Sequence, residues 1–136
     1  MSVVSELIRS EADGTISFGD YSLGAKAKLD NFEHQGNIYK VKTYKDITKL
    51  EKNGKMLFES VPGATVHNFT MNERNIEFNV ESTEDVQITM ELEPEQEYKL
   101  IVDDMLVGKM ESNIAGKINF SVELGKNTAD VKIEKI

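Results

Sequence analysis

The chain contains no cysteine and no tryptophan, only two prolines, two arginines and two histidines, and no long apolar run. Without cysteine there is no disulfide, no thiolate metal ligand and no thiol nucleophile. Without tryptophan, the best stacking platform for sugars is missing. The longest apolar runs are three or four residues. That is far below the ~20 a membrane-spanning helix needs, so no membrane is expected as a partner. The N-terminal "MSVVSELIRSEADG" has neither a basic n-region nor an apolar core, so a secretory leader is not expected. Together with the missing cysteines this points to the cytoplasm.

Chemical motifs are equally scarce. GxGxxG, GxxxxGK[ST], GxSxG and D-x-[DN]-x-[DN]-G are all absent from the sequence, so no cofactor is expected. His34 lies in the polar "EHQGN" turn and His67 near the start of a strand, far apart in sequence. Zinc needs at least three protein ligands, so no metal site is expected, and each histidine reads as surface or edge packing. The 24 acidic and 16 basic residues leave a net charge of −8. An acidic surface repels phosphate backbones, so nucleic acid is not an expected partner. The acidic residues read as solvated positions on polar strand faces, among them Glu77, Glu81, Glu91 and Glu123.

What the sequence does have is period-2 alternation, the mark of half-buried strands. In "NIEFNVES", Ile76, Phe78 and Val80 share one face. "DVQITMEL", "YKLIV", "KINFSVEL" and "DVKIEKI" repeat the pattern. Turn signals separate them at "NERN" (72–75), "STED" (82–85), "EPEQE" (93–97), "VDDM" (102–105), "NIAG" (113–116) and "GKNTA" (125–129). From about residue 64 onward this predicts seven strands. The first 60 residues supply further candidates: "TISFGDY", "AKAKLDNF", "NIYKVKTY", "ITKLEKN" and "KMLFES". "KNGK" (52–55) carries the Asn-Gly of a type I′ hairpin turn. "VPGA" (61–64) is the best sub-boundary. It is too short for a flexible linker, so residues 1–136 are expected to form one domain. The expected fold is all-β, an antiparallel sandwich (jelly-roll or immunoglobulin-like) of about a dozen short strands. Phe18, Phe58, Phe69, Phe78 and Phe120 fall at core positions. Residues 3–8, "VVSELI", fit either a helix or a strand.

The stretch "ADGTISFGDYSLG" (12–24) reads as a hairpin with tight turns rather than a ligand loop. Gly19 there suggests a bulge or a close backbone approach. Ligand candidates are few: Tyr21 beside Asp20, and Tyr44 next to the "KDIT" turn. Exposed tyrosines framed by polar residues can stack sugars. Tyr39 alternates with Val41 and should face the core. Lys26, Lys28, Lys40 and Lys42 read as charges that guard a sheet edge.

The segments "SEADGTISFGDYSLGAKAKLDNFEHQGNIYKVKTY", "FESVPGATVHNF" and "ITMELEPEQEYKL" resemble a family of small bacterial all-β proteins, some of which are labelled endosialidase. The resemblance covers nearly the whole chain. It implies the all-β architecture and carries no site motif. The label implies a sialate-cleaving hydrolase, whose usual machinery is an arginine triad and a Tyr–Glu pair; this chain has Arg9 and Arg74. The leading expectation is a non-catalytic binding or protein-interaction module. It would act through a sheet face, an edge strand or turns, on a protein or small ligand. A carbohydrate-binding module and a small glycoside hydrolase are the alternatives. A homo-oligomer built through an edge strand or an apolar patch is also expected.

Overall fold

A computed structural model describes residues 3–124 and 127–136. Among these, thirteen strands form two antiparallel sheets. One sheet holds β1 (Ile8–Ser10), β2 (Ile16–Phe18), β7 (Thr65–Met71), β8 (Asn75–Glu81), β13 (Thr128–Lys135), β10 (Glu97–Val102) and β11 (Met105–Glu111), in that spatial order. The other runs β12 (Lys117–Val122), β9 (Val86–Glu91), β6 (Lys55–Val61), β5 (Ile47–Lys52), β4 (Asn37–Tyr44) and β3 (Ala27–His34). No helix among the described residues is long and apolar enough to cross a membrane.

The alternation predicts this arrangement correctly. Each strand turns one apolar face inward, and the two inner faces close on each other. Phe18, Phe58, Phe69, Phe78 and Phe120 are all buried. Phe58 of one sheet meets Phe18 and Phe78 of the other edge to face, with centroids 5.4 and 5.7 Å apart. Tyr39 is buried as expected. Both sheets draw strands from before and after the "VPGA" segment, so the sub-boundary is a crossing between layers.

The turn chemistry also matches. Asn53 and Gly54 both have positive φ, as do Asp103 and Asp104, which is what tight two-residue hairpins demand. β1 and β2 form the hairpin expected from "ADG", with Thr15 N donating to Asp13 Oδ1. Residues 3–8 are neither helix nor strand for most of their length; only Ile8 enters β1. β2 is shorter than "TISFGDY" suggests, because the chain leaves the sheet at Gly19. Gly125 and Lys126 of the "GKNTA" turn lie outside the described residues.

Candidate functional site

The three candidate ligand residues sit at the end of the sandwich where β2, β4, β6 and β8 terminate. Residues 19–26 cross there from one sheet to the other. A chain of hydroxyls anchors the crossing. Asp20 N donates to Thr43 Oγ1 at 2.9 Å, Thr43 Oγ1 lies 2.8 Å from Thr48 Oγ1, and Thr48 Oγ1 donates to Ala64 O at 2.8 Å. Each hydroxyl has one proton, so the chain runs in a single sense from Asp20 to Ala64. All of these hydroxyls are buried and satisfied, which makes the end rigid.

Asp20 is 5% exposed and turns back on its own loop. Its Oδ1 accepts from Ser22 N at 3.0 Å and Ser22 Oγ at 2.5 Å. It therefore caps its own loop, with Oδ1 committed to Ser22. Tyr21 donates its phenol to Glu81 Oε2 at 2.6 Å. Glu81 is 4% exposed, and its Oε1 faces His67 Nε2 at 3.8 Å. The sequence reading placed Glu81 on a solvated face and His67 at the surface or an edge; the structure corrects both. They occupy the outward phase of β7 and β8, but the crossing segment lies over that part of the sheet. A loop from sixty residues earlier covers them, and nothing in the local alternation signals that.

Burial, then the hydrogen bond and charge of Glu81, then the charge of Asp20, push the Tyr21 phenol up to about 12. The neutral phenol is the form the fold prefers. The Tyr21 contribution to stability is thus present below the ordinary value of 10.0 and is lost as pH rises through about 12. Tyr21→Phe should cost about 1–3 kcal/mol at neutral pH, since the buried Glu81 carboxylate loses its donor. Urea unfolding checks the cost. Tyr39 and Tyr98 are also pushed up by burial, so the difference between wild type and Tyr21→Phe isolates the Tyr21 share of the alkaline loss.

The Tyr21–Glu81 pair is the arrangement a sialate-cleaving site would use, but the arginines are elsewhere. Arg9 pairs with Glu11 at 3.0 Å. Arg74 sits in the β7–β8 turn, about 20 Å along β8 from Glu81. A phenol held protonated to about 12 is also a weak nucleophile at neutral pH. Two cavities, of ≈ 500 and ≈ 350 Å³, are lined by neither Tyr21, Asp20 nor Glu81. The larger opens between the sheets at the opposite end, over Ile76, Leu92, Tyr98 and Ile133.

Tyr44 belongs to a different surface, the outer face of the six-stranded sheet. The register sets Lys28, Lys42, Lys49, Glu59, Thr89 and Asn119 in one row across all six strands. Lys28, Lys42 and Lys49 are direct neighbours in that row. Lys40 stands one step along β4, and Lys26 Nζ lies 5.7 Å from the Tyr44 ring centroid, a cation–π contact. Among the described residues, none of these five lysines forms an ion pair. Glu51 and Glu59 stand opposite Lys40 and Lys49 in register without closing one. The charges of Lys28, then Lys26, with smaller effects of desolvation, Lys49 and Lys40, hold the Lys42 amine below its usual range. Reading the sequence found four of these lysines and assigned them to edge protection. It missed Lys49, which joins them only through the register of β4 with β5.

The other half of the same face carries a ladder of neutral side chains, with Lys117 standing opposite Glu91 at its end. Gln87 Nε2 donates to Asn119 Oδ1, Asn119 Nδ2 donates to Thr89 Oγ1 at 2.6 Å, and Ser121 Oγ donates to Gln87 Oε1 at 2.5 Å. This ladder fixes four polar side chains in one orientation.

The fold and site define an all-β sandwich whose six-stranded sheet carries a lysine cluster and an amide-rich ladder on its outer face. Comparison with protein-family models, with curated proteins and with solved structures returned no match.

Proposed function

We propose that this protein is a non-catalytic binding module that holds its ligand on the outer face of the six-stranded sheet. The five-lysine cluster carries the reading. In a chain of net charge −8, acidic partners for those lysines are abundant, yet the described residues supply none within ion-pair reach. Like charges directly opposite each other on a sheet oppose folding. A ligand bearing negative charge relieves that repulsion and binds through it.

The lowered Lys42 value gives the sign of a test. The charged amine is the form the fold disfavours, so the penalty is present below its lowered pKa and relieved above it. Lys42→Gln is therefore expected to raise the melting temperature at low ionic strength, with the gain shrinking as salt screens the cluster. The same substitution should weaken any anionic ligand found by a thermal-shift panel of acidic peptides, acidic glycans and neutral glycans. A ligand indifferent to Lys42→Gln and to salt would overturn the reading.

The Gln87–Asn119–Thr89–Ser121 ladder, on the same sheet face as the half-buried Tyr44, favours a second reading, a carbohydrate-binding module. Neutral glycans that stabilise the protein, with the response lost in Asn119→Ala, would support it. Self-association would act elsewhere, through the edge strand β11, where Met105, Leu106 and Val107 are each more than 60% exposed.

A further inference from the structure

We propose that β3 accepts an extended acidic segment of a partner protein as a seventh strand of the six-stranded sheet. This rests on the reading of the lysine face as the binding surface and names its ligand. Among the described residues β3 ends the sheet and pairs with β4 alone, which leaves its outer edge to another strand. Its His34 end is tied to the β1–β2 hairpin, through Ser10 Oγ at 2.8 Å from Nδ1 and Gly14 O at 2.9 Å from Nε2. The register with β4 breaks between Leu29 and Phe32. The open stretch is therefore Ala27 to Asp30.

Two side chains there specify the partner. Lys28 points to the outer face, next to Lys42 in the row and near Lys26. Leu29, opposite the buried Val41, leans to the inner side and remains 36% exposed at the open edge. An added strand alternates its side chains in the same way. Its outward residues would stand beside Lys28, with Lys42 one strand further in, and its inward residues would cover Leu29. The matching segment alternates acidic and apolar residues. Lysines present point charges suited to carboxylates, and the patch contains no arginine to fork onto phosphate.

The probe is a peptide of alternating glutamate and valine matched in length to β3, with binding followed by fluorescence anisotropy at low and at physiological salt. Binding is expected at low salt and should weaken as salt rises. The double substitution Lys28→Glu and Lys42→Glu should weaken it by on the order of tenfold or more. Two glutamates there would again be like charges opposite each other, so the double substitution Lys28→Gln and Lys42→Gln, which removes the repulsion, is the folded control and should also weaken binding. N-methylation of the peptide amides that face β3 should abolish binding, because only strand addition needs them. Undiminished binding of the N-methylated peptide, or of the unmethylated peptide to the charge-reversed protein, overturns the inference. If the peptide fails to bind while an acidic glycan binds and is lost on charge reversal, the binding face stands and the strand-addition inference falls. If no ligand responds to charge reversal, both fall.

Discussion

Phe58→Ala is expected to lower the free energy of unfolding by about 3–5 kcal/mol, the range for removing a fully buried aromatic ring. In a domain of this size that corresponds to about 10–20 °C in melting temperature. Phe58 is completely buried and is the six-stranded sheet's contribution to a ring cluster. It touches Phe18 and Phe78 edge to face, and Phe69 stacks on Phe78 with centroids 5.7 Å apart. Removing it opens a void between the layers where no neighbour can collapse without shifting a second ring. Phe58→Leu keeps much of the volume and should cost under about 2 kcal/mol. Denaturant unfolding of both variants checks this. A loss below about 1 kcal/mol for Phe58→Ala would mean that this cluster does not hold the sheets together.

The second large effect is expected at Gly19, where the chain turns out of β2 toward the candidate residues. Its φ is +97°, a conformation L side chains rarely adopt, and an added Cβ would lie 2.4 Å from Ala64 O. The obstructing atom is backbone, so it cannot swing aside. Backbone strain and overpacking each cost about 1–3 kcal/mol, and Gly19→Ala should therefore lose about 2–5 kcal/mol. The loss has a specific place. Gly19 N donates to Leu7 O at 2.9 Å, and Gly19 O accepts from Val4 N at 3.1 Å and Thr65 Oγ1 at 2.9 Å. These bonds seat the crossing that carries Asp20 and Tyr21. The variant should return the Tyr21 phenol toward its ordinary titration, read as tyrosinate absorbance against pH. Gly19→Ala with unchanged stability and an unchanged titration would mean that the crossing is not held as described.

Under the proposed function, stability and ligand binding pull in opposite directions. The ring cluster and the hydroxyl chain at one end make the sandwich rigid. The lysine row on the outer face works against that rigidity, and Lys42→Gln is expected to stabilise the isolated chain while weakening its ligand. Such a trade is common where a site holds charges in a disfavoured arrangement until a partner arrives.

Much of the candidate surface was visible residue by residue. Tyr21, Asp20 and Tyr44 stood out as polar or aromatic positions in the irregular half of the chain. Their environments were not visible. Tyr21 and Asp20 look like ligand groups in sequence, yet one phenol and one carboxylate are committed to the protein's own polar network. Glu81 and His67 look solvated, because period-2 alternation tells only which way a side chain points. It does not say whether another segment lies over that face.

The sequence by itself determined that the chain is an all-β sandwich, which residues form its core and where its tight turns fall. Those properties follow from local chemistry: strand periodicity at Ile76–Phe78–Val80, and the positive φ that Asn53-Gly54 and Asp103-Asp104 tolerate. Only the tertiary structure decided what shares a surface. Lys28, Lys42 and Lys49 become one row through the registers of β3 with β4 and β4 with β5. Tyr21 meets Glu81 because the crossing segment folds over the opposite sheet. Register and layer packing are set by long-range contacts, and a one-residue shift along a strand would send each of those side chains to the other face.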